Sequence, residues 1–378
     1  LYTDIFPFDL SYFLESKKKS PNVKTARVVA NGDILCHDAL YYTAKKGDGS
    51  YDFNQFFEYV KPWIEEADLA IGDFEGTISD KHPLAGYPLF NAPIEIADTI
   101  KDLGYDVVDL AHNHILDSGL YGVEYTAKTF KDRGLDVVGV HVDKKRSEDK
   151  ILIKEVNGIK IAILAYAYGY NGMEANLTAE ERNNYLADLN EVKMKEEIQR
   201  AEKEADVTVV MPQMGVEYQI EPTEEQKKLY HKMIDWGADI IFGGHPHVVE
   251  PAETVEKDGD KKLIIYSMGN FISNQRIETM QDVENAKWTE RGVLMDVTIK
   301  KKSGKTTIET AKAHPSWVSR TPKGGYSPEG YPLYLYQTYI LEDFIEGGKY
   351  RSSQLDEATK ERIDTAYKEM NEHVDLKW

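Results

Sequence analysis

Short apolar runs recur along the chain at 25–30, 68–71, 106–111, 135–140, 159–165, 206–211 and 239–242. Each is bounded by polar or glycine-containing segments and predicts a buried strand. Between them, amphipathic stretches at 52–66, 93–103, 119–133, 191–205 and 223–236 predict helices. Pro93 opens one and Gly104 stops it; Gly134 and Gly237 stop two others, and Thr223 is placed to cap the last. Asn157-Gly158 separates two alternating runs and predicts a hairpin. Two later hairpins are expected, 252–255 with 262–267 around Asp258-Gly259-Asp260, and 293–300 with 306–313 around Ser303-Gly304. Residues 169–188 form a polar insertion, and 357–372 predict a terminal helix.

Strands alternating with helices need crossover connections, and the later hairpins add antiparallel partners. The fold class is therefore α/β, a mixed-sheet sandwich. Residues 1–24 are polar and Lys-rich, ending in Ser20-Pro21-Asn22, and form a lead-in; 25–320 form the main domain, and 321–378 a C-terminal extension ending in a helix.

Five of the strands run out into loops carrying ligand-type side chains: Asp33; Asp73 and Glu75; Asn113 and His114; Gln213; His245 and His247. Ligands gather at the carboxyl ends of strands in α/β sheets. One such loop has a bland alternative, because turns favour Asp and Asn anyway. Five loops holding three of the ten histidines point to one shared polar site. His245-Pro246-His247 is the most specific piece. Pro246 pushes residue 245 toward extended backbone, so both imidazoles face the same way, and Gly243-Gly244 permit a close approach. Asn31-Gly32-Asp33 reads as a turn. His112 alternates with His114 and is expected to face packing. Cys36 reads as a small buried hydrophobe.

Composition narrows the classes. With 41% hydrophobic and 29% charged residues over 378 positions, the chain is globular rather than disordered, and no run of about 18 apolar residues occurs to span a membrane. A net charge of −19 repels nucleic acid, so an anionic ligand needs a local positive element such as a metal ion. A single cysteine rules out an intrachain disulfide and a cysteine-based metal site. The first residue is Leu1, so a preceding targeting or anchor segment is expected.

A family resemblance appears in the loops themselves. Asn31-Gly32-Asp33-Ile34-Leu35, the segment 67–76 ending Gly72-Asp73-Phe74-Glu75-Gly76, and Ala111-His112-Asn113-His114-Ile115-Leu116-Asp117 resemble successive signatures of the bacterial capsule-synthesis CapA family. So do Gly215-Val216-Glu217-Tyr218, the segment 237–247, and Tyr266-Ser267-Met268-Gly269-Asn270-Phe271-Ile272. They run in order from about residue 25 to 300.

The resemblance implies a four-layer α-β-β-α sandwich like the calcineurin-like metallophosphoesterases. It implies Asp33, Glu75, Asn113, His245 and His247 as metal ligands, His114 with Asn113 as catalytic residues, and Gln213, Glu217 and Asn270 at the substrate. The expected cofactor is a divalent metal (Mn, Fe or Zn), one ion or none. The expected partners are an anionic polymer such as poly-γ-glutamate and other capsule-synthesis membrane subunits, with the chain extracytoplasmic at the cell surface and membrane-anchored. Two readings follow: a metal-dependent hydrolase or transferase on that polymer, or a non-catalytic polymer-binding subunit of a membrane synthase complex. Three departures bear on the choice. Ile34-Leu35 follow Asp33 where metallophosphoesterases have Asp-x-His, Asp73 stands for Asn, and Gln213-Met214 stand for His-Trp.

Overall fold

A computed structural model describes residues 22–351 and 355–378; the expected lead-in lies outside the described residues up to residue 21. In chain order the elements are β1 (Val23–Leu35), α1 (Asp38–Ala44), α2 (Lys61–Glu65), β2 (Leu69–Glu75), α3 (Glu95–Asp102), β3 (Val107–Asp109), α4 (Gly119–Asp132) and β4 (Asp136–Val138). Then come β5 (Leu152–Val156), β6 (Ile159–Ala167), α5 (Ala179–Tyr185), α6 (Glu191–Glu204), β7 (Val207–Gln213), α7 (Glu224–Trp236) and β8 (Ile240–Phe242). The chain closes with β9 (Val249–Lys257), β10 (Asp260–Met268), β11 (Asn270–Ile272), β12 (Arg291–Lys302), β13 (Lys305–Tyr326), β14 (Pro332–Ile340) and α8 (Glu357–Val374).

These strands form two mixed sheets, β14-β13-β12-β1-β2-β3-β4 with β11 beside β1, and β5-β6-β7-β8-β10-β9. The centre of each is parallel (β1 to β4, and β6-β7-β8-β10), and hairpins supply the antiparallel edges. The side-chain alternation of β6 shows why the run at 159–165 is almost wholly apolar. Ile161, Ile163 and Ala165 enter the core between the sheets. Ala162, Leu164 and Tyr166 pack outward with Met194 and Ile198 of α6 and Met233 of α7. A strand buried on both faces has no place for polar residues. On the first sheet α4 packs similarly, with Phe130 5.3 Å from Phe74 of β2. The result is the four-layer α-β-β-α sandwich.

The turn signals hold. Asn157 and Gly158 both have positive φ (51° and 76°), as a tight hairpin requires, and Gly237 ends α7 at φ 126°. Three expectations are corrected. Asn31-Gly32-Asp33 is not a turn: β1 runs through it, with an irregularity between Ala30 and Asp33 in its pairing with β2. A Cβ on Gly32 would stand 1.9 Å from the Gly269 carbonyl oxygen, so glycine is there for close approach. The helix expected at 52–66 is a 3-10 turn (Asn54–Phe57) and then α2, because Pro62 can start a helix but not lie inside one. The boundary at residue 320 falls inside β13, and β14 extends the same sheet, so the segment from 321 is part of the sandwich.

Candidate metal centre

The carboxyl ends of both parallel sheet centres meet at one edge of the sandwich. β1 brings Asp33, β2 brings Asp73 and Glu75, and the loop after β3 brings 112–114. β7 brings Gln213, and the loop after β8 brings His245 and His247. All of these side chains are buried. His247 Nδ1 lies 2.8 Å from Asp33 Oδ2 and 3.0 Å from Asn270 Oδ1, and its Nε2 lies 3.6 Å from Glu75 Oε1. His114 Nε2 is 3.8 Å from Glu75 Oε1, while its Nδ1 is 2.7 Å from Asp117 Oδ2. Asn113 Nδ2 donates to Asn171 Oδ1 at 3.2 Å. His245 and His247 have ring centroids 6.1 Å apart.

The imidazoles converge by a route the sequence reading had wrong. His245 is not extended but at φ 99°, and His247 at φ 59°. Pro246 does exclude right-handed helix for residue 245, yet the chain meets that constraint on the positive-φ side, where non-glycine residues are strained. The two glycines before them are required by contact. A Cβ on Gly243 would meet the Tyr266 carbonyl oxygen at 2.1 Å, and one on Gly244 the Gln213 amide at 2.7 Å.

A second correction concerns His112. It faces the site, with Nε2 against Asp73 Oδ1 and Nδ1 3.9 Å from Glu75 Oε2. β3 ends at Asp109, so residues 112 and 114 lie beyond the strand and simple strand alternation does not apply. The ligand atoms of Asp33, Glu75 and His247 all lie within 4.8 Å of one another, and so do those of Asp33, Asp73 and His112. Asp33 is common to both groups.

Charge in this cluster is unbalanced. Burial pushes the Glu75 carboxyl up and Asp73 well up, and it raises Asp109 to about 7. Burial also opposes ionisation of Asp33, but the His247 hydrogen bond and neighbouring imidazoles hold it below the usual range. Burial works against protonating His112 and His247, yet Asp73 raises the first to about 10, and Glu75 with Asp33 raises the second to about 10. His245 goes the other way, down to about 3, through burial and the charge of His247. Among the described residues Asp33 Oδ1, both oxygens of Glu75 and His245 Nδ1 are buried without an aligned hydrogen-bond partner, while Asp33 Oδ2 and Asp73 Oδ1 meet imidazole nitrogens. Buried carboxylates left so cost several kcal/mol each (order of magnitude). Carboxylate oxygens and imidazole nitrogens are the donors that Mn, Fe or Zn accept, so these residues fit a divalent ion.

The remaining candidates are spread through the surroundings. Gln213 Nε2 donates to Asp73 Oδ2 at 2.9 Å, inside the cluster rather than toward the cleft. Asn270 is buried and accepts from His247 while its Nδ2 donates to Thr289 O at 2.8 Å, so it holds His247 in place. Glu217 stands on the rim of a cleft of about 300 Å³ lined also by Leu35, Tyr87, His114, Tyr218 and His247. Cys36 is packed in the core. Sequence reasoning missed Asp117, Tyr168 and Asn171. Asp117 had a signal, its spacing of three after His114 at a helix entry. Tyr168 lies with its ring 4.5 Å from that of His245, and Asn171 touches Asn113 and approaches His114 Nδ1 at 3.5 Å. Tyr168 immediately precedes the polar insertion and Asn171 lies at its start, where composition alone marks nothing.

Four layers with carboxylates and imidazoles gathered at the strand ends define the class, an α-β-β-α sandwich protein with a candidate metal centre. Within it, the chain belongs to the bacterial capsule synthesis protein PGA_cap family, whose model matches residues 27–275. It is 31% identical over 287 residues to PGA biosynthesis protein CapA of Bacillus subtilis (strain 168), covering 72% of this chain and 70% of that one. It is 32% identical over 234 residues to capsule biosynthesis protein CapA of Bacillus anthracis, covering 60% of this chain and 55% of that one. Among solved structures it is similar to the calcineurin-like phosphoesterase YfkN from Bacillus subtilis, at 16% identity and a TM-score of 0.46, over 94% of this chain and 100% of that chain.

Proposed function

We propose that this protein is a metal-dependent hydrolase or transferase acting on an anionic capsule polymer, poly-γ-glutamate, at the outer cell surface alongside membrane subunits of the synthase. The observation that carries the reading is the convergence of buried Asp33, Glu75 and His247 ligand atoms within 4.8 Å of one another, with both Glu75 oxygens lacking an aligned hydrogen-bond partner among the described residues. Asp33, Glu75 and His247 would hold the ion, with Asn113 and His245 at its edge and Asp73 and His112 as a second group. A bound divalent ion polarises the scissile group and lowers the pKa of water. Everything else is supplied by the chain. Asp117 accepts the hydrogen bond of His114 Nδ1–H, which fixes the ring and leaves Nε2 to exchange a proton with a leaving group. Glu217 and Tyr218 on the rim, with Tyr168 over His245, would orient the substrate. The PGA polymer and the capsule setting are suggested by the names of the two CapA relatives.

The test is metal analysis of protein purified without chelator, paired with turnover of poly-γ-glutamate and generic phosphoesters. Stoichiometric metal that is lost in the His245→Ala/His247→Ala double variant, together with turnover, supports the reading. No metal and no turnover with added Mn²⁺ sinks it. A second reading, a non-catalytic polymer-binding assembly subunit, is favoured by one feature: Gln213 occupies Asp73 Oδ2, and Leu35 lines the cleft. Metal-independent binding of the polymer without turnover would select it. The surface location is tested by protease accessibility on intact cells; among the described residues no helix is long and apolar enough to cross a membrane.

A further inference from the structure

Beside the metal cleft lies a larger cavity of about 510 Å³, and Asn274 and Thr279 line both. That volume is within the range of roughly 300–1,000 Å³ typical of ligand sites. Its walls come from α1 and from the β13–β14 hairpin, residues that mostly lie beyond 275, where the family match ends. The chemistry of the lining is uneven. Arg320 of β13 stacks its guanidinium 4.1 Å from the Tyr334 ring centre and has no carboxylate partner among the described residues. Most other arginines among the described residues are tied to acids, as Arg27 is to Asp296 and Arg146 to Glu197, while Arg200 donates to the Asp149 carbonyl oxygen. Asn274 accepts the Tyr336 hydroxyl at 2.6 Å, and its Nδ2 donors have no partner among the described residues. Tyr331 is 71% exposed at the mouth. The two acids of the lining are engaged: Glu329 accepts from Tyr42 at 2.9 Å, and Asp38 accepts from the Ala39 N–H at 2.8 Å.

We infer that this cavity is a subsite for further units of an acidic, amide-linked polymer whose reacting unit sits at the metal centre. Arg320 presents a planar fork to a carboxylate, the Asn274 amide meets an amide carbonyl, and the rings of Tyr331 and Tyr334 cover methylene carbons. A lining whose acids are already engaged and whose Arg320 guanidinium has no carboxylate partner suits a repeating unit that carries one carboxylate, one amide and a short aliphatic spacer. A neutral sugar chain would leave the Arg320 charge unused. The inference rests on the polymer reading above, and its test separates the two.

Binding of fluorescently labelled γ-glutamyl oligomers of about two and about ten units is measured with metal-loaded protein, its Arg320→Gln and Tyr331→Ala variants, and a neutral glucan oligomer as control. The expected result is at least about tenfold tighter binding of the longer oligomer, reduced about tenfold by Arg320→Gln and severalfold by Tyr331→Ala. Binding of the short oligomer, metal content and melting temperature should not change. If both lengths bind the wild type equally, or Arg320→Gln weakens both equally, the subsite is refuted while the metal-centre reading stands. If neither oligomer binds fully metal-loaded protein, the polymer reading falls and takes the subsite with it. Tight glucan binding that depends on Tyr331 and not on Arg320 also overturns the proposal.

Discussion

Glu75 has two buried oxygens and no aligned partner for either among the described residues. In metal-free protein that charge is a burden, so Glu75→Gln should raise the melting temperature in chelator by about 2–4 °C while abolishing most of the stabilisation that added Mn²⁺ gives the wild type. Thermal melts with and without metal check both halves; a lower melting temperature in chelator would mean the carboxylate is stabilising by itself. At this scale much of the site was legible. Asp33, Glu75, Asn113, His114, His245 and His247 stand at strand ends, where side chains must point out of the ladder and can meet. What was not legible depends on backbone detail. His112 lies past the end of β3, where strand alternation no longer fixes its direction, and Asn171 reaches the Asn113–His114 pair from a loop at φ 55°. No spacing rule encodes either.

Strand ladders carry the next set of consequences. The Gly32 irregularity is what lifts Asp33 toward His247, and Gly32→Ala would drive a methyl into the Gly269 carbonyl. That variant is expected to lose roughly 3 kcal/mol or more of stability, and metal affinity with it, read by urea unfolding and metal titration. Away from the site, His314 of β13 lies 3.2 Å from Asp296 and 2.7 Å from Glu342. Against its burial, hydrogen bonds to these acids raise it to about 9, from an ordinary 6.5. A raised histidine contributes stability in full below about pH 6.5 and loses it as pH climbs through about 9. Wild type should therefore lose on the order of 2–3 kcal/mol between pH 6.5 and 9.5 that His314→Gln does not, measured as the difference in urea midpoints. Element type was readable wherever a mechanism was written in the residues: Asn157-Gly158 for a hairpin, Thr223 and Gly237 for the ends of α7. It failed where the deciding partner is remote. β14 and the extension of β13 are strands because each covers the other, and alone they read as a polar, tyrosine-rich tail.

Across the whole molecule, α8 ties the far end of the chain to the cleft wall. Arg362 pairs with Glu278 and Glu290 at 2.6 Å each, and Arg291 of β12 pairs with Glu369 at 2.7 Å. Glu278 and Glu290 lie in the segment between β11 and β12 that also carries Gln275, which accepts from Asn270 at 3.0 Å, and Asn270 in turn holds His247. Arg362→Ala leaves Glu290 buried with fewer partners and should cost about 2 kcal/mol; Arg362→Lys should recover only part, because one ammonium cannot serve both acids as the fork does. Chemical denaturation of the two variants distinguishes this brace from a helix that merely covers apolar surface through Ile363 and Met370. The family match stops at residue 275, yet the sheet, the cleft wall and this brace all continue past it.

The positive-φ backbone at His245 and His247 sets a direction for laboratory evolution. Glycine or asparagine relaxes the backbone at both positions, most freely at His245, which makes no ion pair to the acids among the described residues. A mutant library screened for heat resistance alone should therefore enrich such replacements and return sturdy, inert proteins. Only a screen that also demands metal retention would keep the two imidazoles.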